Sequence, residues 1–474
     1  MATLRFLLNG AACREDDAPP GTTVLDYLRT ARRLTGTKEG CAEGDCGACA
    51  IAIKRPRADR YEAVNSCLML LPQIDGASVL TVEGLARPDG SLHPAQQALM
   101  ETDGTQCGFC TPGFVMAMAA FLAGSEEPTD AAIHEALAGN LCRCTGYRPI
   151  VAACRKAAAL PAPPLGDARA EQGLAKLDFD NEYSGRGQRF FAPQKMETLI
   201  DLLKWFPDAT LLGGGTDLGL LASKERKPPA CVISTAGVPE LKRIEMTEGW
   251  LTLGGAVTYT EILPHLDQAF PALGALVRRI GSRQIRNLGT IAGNIATASP
   301  IGDTLPCLIA LDARVALRSS KGMREKRVEE FITGYRKTAL GKGEFIEAIR
   351  IPRLDPGQRF FVYKLSKRFD QDISAVIAAF RLTTAGGALR GLSAVYGGMA
   401  AAPKHAGAVE KALTGKPWTQ AALADIDAAV ARDFQPMDDQ RASAAYRLRA
   451  AANLVRRLQM ESADGPAPAR LEEL

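Results

Sequence analysis

Eight of the twelve cysteines in this 474-residue sequence are clustered, and this clustering constrains the fold more than any other feature. One group consists of Cys41, Cys46, Cys49 and Cys67, and a second consists of two tight pairs at 107/110 and 142/144. Thiols at such spacings bind metals or form disulfides. The sequence moves straight into alternating strand residues, with no targeting segment, so we expect metal-bound thiolates and not disulfides.

The first group has the spacing Cys-x4-Cys-x2-Cys, and its fourth cysteine follows after 17 further residues. This is the plant-type spacing of a 2Fe–2S cluster. Glycines at 36, 40, 44 and 47 allow the backbone to wrap closely around a cluster and to turn N–H groups towards its sulfides. Structural zinc needs no such glycine-rich wrap, so the spacing predicts an iron–sulfur site.

The second group lies among four predicted short helices. The first helix is predicted from Pro94 to about Glu101, and the second follows Pro112 and ends at Gly124. Thr129 and Asp130 predict the start of the third, which ends at Gly139, and the fourth follows Pro149. Short loops make consecutive helices antiparallel, so both cysteine-bearing loops fall at the same end. Two helix N-termini also point there and favour an anionic cluster. Taken alone, this group leaves iron–sulfur and zinc open, although a Cys-x-Cys pair fits zinc poorly.

Composition excludes several classes of protein. The net charge is only +4, with 57 basic and 53 acidic residues, which indicates neither nucleic acid nor anionic membrane as a partner. No apolar run approaches the ~20 residues that span a bilayer. We therefore expect a cytoplasmic protein.

The N-terminal residues 3–14 predict a β-hairpin that turns at Asn9-Gly10, and a helix is predicted after Thr22 or Thr23. Prolines and a polar run over 160–188 predict a linker.

Two glycine-rich segments follow the linker. The first, 213–219, comes after a predicted strand over 209–212, and the second covers 280–306. Backbone N–H groups in such turns can hold a phosphate, but each segment taken alone is more often a plain turn or connector. Neither has the G-x-G-x-x-G pattern, so a Rossmann domain is not supported. Beyond 356, three strands are predicted at 360–366, 374–382 and 389–399, with helices from about 404.

The segments CAEGDCGAC, QCGFCTPGFVM and NLCRCTGYRPI resemble the iron–sulfur region of the molybdenum hydroxylases, the family of xanthine dehydrogenase and aldehyde oxidase. The resemblance implies two 2Fe–2S clusters. Their ligands would be Cys41, Cys46, Cys49 and Cys67 for one cluster and Cys107, Cys110, Cys142 and Cys144 for the other. It also implies that Gln106 lies beside the molybdopterin and that Cys144 faces the pterin. Cys13, Cys154, Cys231 and Cys307 match no ligand and are expected to be packing residues.

The two glycine-rich segments resemble the FAD-contacting segments of the same family, in which FAD binds in a cleft between two α+β subdomains. The residues implied to line the flavin are Leu211, Leu212, Gly213, Gly214, Gly215, Thr216, Asp217, Ile280, Gly289, Thr290, Ile291, Ala292, Gly293, Asn294, Thr297, Asp303, Leu340 and Lys364. Some members of the family have Asn at the position of Gly215, which puts a side-chain contact there in doubt. The segment 364–374 resembles the loop that lies near the isoalloxazine and shapes access for NAD.

These observations predict a multidomain α+β protein. Its parts are a ferredoxin-like β-grasp domain (1–85), a four-helix 2Fe–2S domain (86–160), a linker (161–188), an α+β FAD-binding domain (189–355) and a C-terminal α+β cap of the flavin unit (356–474).

The resemblance implies an electron-transfer subunit of xanthine dehydrogenase, with no catalytic acid or base of its own. Electrons from a molybdenum cofactor on a partner chain would pass through two 2Fe–2S clusters to FAD and NAD while hypoxanthine and xanthine are oxidised to urate. No sequence remains here for a molybdenum-binding domain, so a large partner subunit in a two-plus-two heterotetramer is expected. The alternatives are the same role in an aldehyde or other N-heterocycle hydroxylase, a stand-alone NADH-linked flavin and iron–sulfur carrier, and a structural zinc protein.

Overall fold

The computed structural model describes residues 3–86, 89–161, 163–174 and 181–463. The described residues form two compact units. The first draws on Met1–Glu240, Thr258–Thr260 and Gly281–Thr290, and the second on Leu241–Val257, Glu261–Ile280 and Ile291–Leu474.

The first unit opens with a five-stranded sheet. Its strands are β1 (Leu4–Leu8), β2 (Ala11–Glu15), β3 (Ala50–Lys54), β4 (Glu62–Asn65) and β5 (Ser78–Leu80), in the order β2-β1-β5-β3-β4. The β1–β5 pair is parallel, and the other pairs are antiparallel. Asn9 and Gly10 have φ of 52° and 82°, which confirms the predicted hairpin turn. Thr23 caps the short helix α1 (Val24–Asp26), which continues as a π-helical turn over Tyr27–Ala31.

Strand β3 is buried on both faces, because successive side chains of a strand point to opposite sides. Ile51 and Ile53 belong to the core of the β-sheet, while Ala50 and Ala52 belong to the core of the following helices. The small alanines let a helix lie close to the strand. One strand therefore holds the two cysteine-bearing parts of the chain together.

Four helices follow, and they confirm the predicted four-helix domain. They are α2 (Pro94–Glu101), α3 (Thr111–Leu122), α4 (Asp130–Leu137) and α5 (Arg148–Ala158). The Thr129 hydroxyl accepts the N–H of Ala132 at 3.3 Å, as expected of an N-cap. Helix α3 is buried almost all round from Gly113 to Phe121, which makes it the centre of this domain.

The predicted linker, 161–188, contains regular structure. Helix α6 (Ala168–Leu174) places Glu171 3.0 Å from the ammonium group of Lys54, and strands β6 (Asn181–Gly185) and β7 (Gln188–Ala192) form a hairpin. Arg186 and Gly187 turn this hairpin with φ of 47° and 78°. The SGRGQ stretch is therefore a tight turn and not a spacer. Residues 162 and 175–180 of the predicted linker lie outside the described ranges.

The rest of the first unit is a second, mixed sheet with short helices. Its elements are α7 (Met196–Trp205), β8 (Thr210–Leu212), α8 (Gly219–Ser223) and β9 (Cys231–Ser234), and the sheet order is β6-β7-β9-β8. Strands β7 and β8 are both parallel to β9.

The next stretch contributes a five-stranded antiparallel sheet to the second unit. Its strands are β10 (Ile244–Met246), β11 (Trp250–Gly254), β12 (Arg314–Ser319), β13 (Gly322–Arg327) and β16 (Phe345–Pro352), and the same stretch has a separate two-stranded sheet of β14 (Ile332–Gly334) and β15 (Lys337–Thr338). The order is β10-β11-β16-β12-β13, and β14 pairs with β15. The helices are α9 (Tyr259–Ala269), α10 (Pro271–Arg278), α11 (Arg283–Arg286), α12 (Ile291–Thr297), α13 (Thr304–Ala310) and α14 (Val328–Phe331). The segment 280–306, which its glycines predicted to be a loop, is thus largely a run of short helices.

The C-terminal part has the predicted meander. Its elements are β17 (Gln358–Leu365), β18 (Val376–Ala385), β19 (Ala388–Gly397), β20 (Lys404–His405), α15 (Gly407–Leu413), α16 (Ile426–Asp433) and α17 (Ala444–Ser462). The helices share a core with the sheet, in which the rings of Phe380, Tyr396 and Phe434 pack edge to face. Among the described residues, every helix is too short or too polar to traverse a lipid bilayer.

Candidate cofactor sites

In the first cysteine group, Cys41 and Cys46 interact as one pair and Cys49 and Cys67 as another, and within each pair the two thiols shift each other's pKa in opposite directions. Cys49 and Cys67 are almost fully buried, and the other pair is partly exposed. A 2Fe–2S cluster takes two cysteines on each of its irons, so two adjacent pairs are the arrangement that it needs.

A site for a single metal ion needs a different arrangement of the sulfurs. Four thiolates about 2.3 Å from one tetrahedral zinc all lie about 3.8 Å from one another, and thus form one group. In the described part of the chain, no three His, Cys, Asp or Glu side chains form a compact group of that kind. The pairing of the cysteines is the arrangement that a two-iron cluster requires.

The loop around Cys41 is built to stabilise a thiolate. Its sulfur accepts the backbone N–H groups of Glu43, Asp45 and Cys46 at 3.3–3.4 Å. The hydrogen bond from the Cys46 thiol, together with these N–H groups, lowers the pKa of Cys41 to about 5 against the effect of burial. Donors to a cluster ligand are the usual means by which a protein orients it and sets its charge.

Glycine is required at two points of this loop. A Cβ atom on Gly40 would lie 2.8 Å from the sulfur of Cys46. A Cβ atom on Gly47 would lie 2.2 Å from the carbonyl oxygen of Gly139, and Gly47 also has a φ of +67°. At these two points the backbone approaches its neighbours more closely than any residue with a Cβ atom would allow.

The second cysteine group is also brought together, as the predicted helix order requires. Cys107 pairs with Cys144, and Cys110 pairs with Cys142. Hydrogen bonds from the N–H of Phe109 and from the Cys144 thiol lower the pKa of Cys107. Cys107 and Cys144 are exposed to solvent, and Gln106 beside them is exposed as well.

Two helix N-termini lie at this second group. Cys110 is the N-cap of the 12-residue helix α3, and Tyr147 is the N-cap of the 11-residue helix α5. The Tyr147 hydroxyl accepts the backbone N–H of Cys142 at 3.0 Å and so holds the loop in place. Tyr147 was not singled out from the sequence, and only its position at a helix start could have suggested its role.

The loops that carry the two groups touch each other. The N–H of Leu141, next to Cys142, donates to the carbonyl oxygen of Cys46 at 3.0 Å. The side-chain amide of Asn140 donates to the carbonyl oxygen of Gly47 at 3.0 Å and accepts from Gln284 at 2.8 Å. Asn140 and Gln284 are fully buried polar residues that sequence reasoning missed, since a lone Asn or Gln carries no recognisable pattern.

In the first unit, the predicted flavin residues of the two glycine-rich segments are brought together. A Cβ atom on Gly213 would lie 2.9 Å from the hydroxyl of Thr290, and one on Gly214 would lie 1.7 Å from the carbonyl oxygen of Leu288. A side chain on Gly214 would require the neighbouring backbone to move, and one on Gly213 would require the Thr290 side chain to move. Gly215 has a φ of +85°, which glycine adopts freely and which asparagine tolerates better than other residues.

Several backbone N–H groups of the same turn have no acceptor among the described residues. Within the residues that the structure describes, nothing accepts a hydrogen bond from the backbone N–H of Gly214, Gly215, Thr216 or Asp217. Free N–H groups at the end of a strand suit a phosphate or diphosphate. The turn therefore fits the phosphate part of a dinucleotide.

In the second unit, three of the predicted flavin residues take part in two side-chain hydrogen bonds. Asp303 accepts from the Lys364 ammonium at 2.7 Å, and the carboxamide of Asn294 accepts from the hydroxyl of Thr304 at 2.6 Å. Residues 291–294 and 297 lie on α12, Ile280 follows α10, and Leu340 follows β15.

Profiles of four known domain families match successive parts of the chain. A 2Fe–2S iron–sulfur cluster binding domain matches residues 6–71, and a second 2Fe–2S binding domain matches residues 81–155. The FAD binding domain of molybdopterin dehydrogenases matches residues 183–354, and the C-terminal domain of the carbon monoxide dehydrogenase flavoprotein matches residues 361–462.

Whole proteins match over the same regions. Xanthine dehydrogenase from Emericella nidulans is 33% identical over 91% of this chain, and aldehyde oxidase 2 from Cavia porcellus is 30% identical over 89% of it. The chain spans only 36% of the length of each of these relatives. A chain of carbon monoxide dehydrogenase from Hydrogenophaga pseudoflava superposes with a TM-score of 0.54 and 27% identity, over 56% of this chain and 94% of its own.

Proposed function

The chain belongs to the molybdenum hydroxylase family, as a protein with two 2Fe–2S domains and an FAD-binding domain, and we propose that it is the electron-transfer subunit of a xanthine dehydrogenase. It would serve the oxidation of hypoxanthine and xanthine to urate with NAD as the final acceptor, in the cytoplasm.

The two sets of paired thiols carry this proposal. When bound, the iron–sulfur clusters supply one-electron transfer and FAD supplies the step to a hydride acceptor. Cys41, Cys46, Cys49 and Cys67 would hold one cluster, and Cys107, Cys110, Cys142 and Cys144 the other. The N–H donors to Cys41 orient this ligand, and the burial of Cys49 and Cys67 keeps water from their side of the site.

A partner chain supplies the molybdenum centre in this proposal. The chain spans about a third of the length of the relatives that it matches. The second cysteine group is exposed at Cys107 and Cys144, and exposed Phe109 and Tyr147 lie beside it. Exposed aromatic side chains around a redox site are what a docked partner would cover. We propose a two-plus-two heterotetramer, with Gln106 and Cys144 facing the pterin.

The extent of the matches supports a relative of xanthine dehydrogenase or aldehyde oxidase, whose single chains cover both the iron–sulfur and the flavin parts of this one. The first two match about nine-tenths of this chain, across both its iron–sulfur and its flavin parts. The carbon monoxide dehydrogenase chain covers only 56% of it. Aldehyde or N-heterocycle oxidation remains the second candidate, because the substrate is chosen on the partner.

The test is NAD reduction by the complex of this chain with its molybdenum-containing partner. We expect hypoxanthine and xanthine to drive NADH formation, and simple aldehydes to drive it far more slowly. Turnover with aldehydes alone would assign the second candidate. Oxidation of NADH by the isolated chain, without any associated molybdenum protein in a pull-down, would assign the stand-alone carrier.

A further inference from the structure

A buried ion pair in the second unit has a third member that no sequence pattern indicated. Lys364 and Asp303 expose only 2% and 9% of their side chains, and their charged groups are 2.7 Å apart. The hydroxyl of Ser374, which is fully buried, donates to the other carboxylate oxygen of Asp303 at 2.6 Å. Each oxygen of this carboxylate therefore has its own donor.

The ammonium group of Lys364 has donor capacity left over. It donates to Asp303 Oδ2 and, at 3.0 Å, to the carbonyl oxygen of Arg279. An ammonium group has three N–H donors, so one is left without an acceptor among the described residues. If Lys364 lines the flavin, as the proposed function requires, this third donor is the one that the flavin receives.

We propose that Ser374 is a positioning residue that sets the strength of Lys364 towards the flavin. The Ser374 hydroxyl fixes the orientation of the Asp303 carboxylate, and its dipole offsets part of the negative charge that faces Lys364. More of the positive field of Lys364 then acts on the flavin. Positive charge near the ring favours the electron-rich reduced form, so Ser374 raises the flavin potential. This inference rests on the proposed function.

The hydroxyl matters more here than in an exposed site. Removing one donor from a buried carboxylate leaves its charge less compensated, because the surroundings screen it weakly. A hydrogen bond to a charged group is stronger than one between neutral groups, and only part of its contribution differs between oxidised and reduced flavin.

The experiment is a spectroelectrochemical titration of the flavin in the full chain with FAD bound. For Ser374→Ala, we expect the ratio of reduced to oxidised flavin at a fixed potential to fall about threefold to tenfold, tenfold being about 30 mV for a two-electron couple. Ser374→Cys, which keeps a weaker donor, should give an intermediate fall. Ser393→Ala is the control, since it removes a buried hydroxyl on β19, in the sheet that carries Lys364 on β17, and this hydroxyl has no hydrogen-bond partner among the described residues.

Three results would overturn the proposal. The first is an unchanged potential in Ser374→Ala with full FAD content. The second is an equal shift in Ser393→Ala, which would make the effect one of packing. The third is loss of FAD from Ser374→Ala together with a parent-like potential in Ser374→Cys, which would leave Ser374 a structural role only. A parent chain that binds no FAD would instead refute the proposed function.

Discussion

The backbone N–H of Leu141 donates a hydrogen bond of 3.0 Å to the carbonyl oxygen of Cys46. Cys46 belongs to the first cysteine group, and Leu141 immediately precedes Cys142 of the second. A single hydrogen bond therefore completes a path of covalent bonds between ligands of the two proposed clusters. Asn140 stabilises this contact, because its side-chain amide donates a hydrogen bond to the carbonyl oxygen of Gly47, next to Cys46, and accepts one from Gln284.

We predict that Asn140→Ala lowers the free energy of unfolding by about 1–3 kcal/mol, because the Gly47 carbonyl and the Gln284 amide lose a buried partner. The two clusters should also interact more weakly, which relaxation of their EPR signals would report. Asn453→Ala, an exposed position on α17, is the control and should change stability by less than about 0.5 kcal/mol. Equal effects of the two substitutions would show that the hydrogen bonds of Asn140 have no special role.

Cys142→Ser should abolish one of two 2Fe–2S EPR signals and leave the other unchanged, because Cys142 pairs with Cys110 and not with any cysteine of the first group. Cys154→Ser is the matched control in the same domain. Cys154 is fully buried on α5 and is expected to pack without binding iron, so both signals should persist. Loss of both signals in Cys142→Ser would argue against two separate sites.

Gly47→Ala should cost much more stability than Gly10→Ala. Both glycines have positive φ, which costs an alanine about 1–2 kcal/mol. Only at Gly47 would the new Cβ atom also meet a backbone oxygen, at 2.2 Å, whereas nothing lies within 4 Å of it at Gly10. We expect Gly47→Ala to lose iron from the first site, and Gly10→Ala to keep it. Iron content and thermal unfolding of the two purified variants measure this difference.

The stability of the second unit should depend on the protonation of His405. The hydrogen bond to Glu410, 2.7 Å away, raises the pKa of His405 above its usual value of about 6.5. A raised folded-state pKa stabilises the fold fully below pH ~6.5, and this contribution disappears as the pH rises through the folded-state pKa.

His405→Gln should therefore destabilise the protein more at pH ~6 than at pH ~9. Glu410→Gln keeps an acceptor for the Ala394 N–H but removes the charge, so it should flatten the same pH dependence. Urea denaturation of both variants at the two pH values checks this. A pH-independent difference would exclude the His405–Glu410 pair as its cause.

Local sequence features, namely helix caps, prolines and turn residues, predicted much of this fold. Cap residues and prolines located the four helices of the second domain within a few residues, and Asn9-Gly10 identified the first hairpin. The predicted convergence of the cysteine pairs followed from short loops between antiparallel helices, and in the structure Cys107 interacts with Cys144 and Cys110 with Cys142.

Contacts between residues far apart in the sequence could not be predicted in this way. The polar stretch before residue 188 looked like a spacer, because nothing local shows that Glu171 meets Lys54 or that Arg186 turns a hairpin. Likewise, the glycines of 280–306 suggested a loop, although they allow close packing of short helices. Gln284 and Ser374 act through partners more than 70 residues away, which no local pattern encodes.

The central claim is that this one chain holds two 2Fe–2S clusters and an FAD. Metal, sulfide and flavin analysis of the purified chain, together with low-temperature EPR after reduction, tests it most directly. The account predicts about four irons, about four inorganic sulfides and about one FAD per chain, with two distinct EPR signals. Zinc in place of iron, or a single cluster signal at full iron loading, would contradict it.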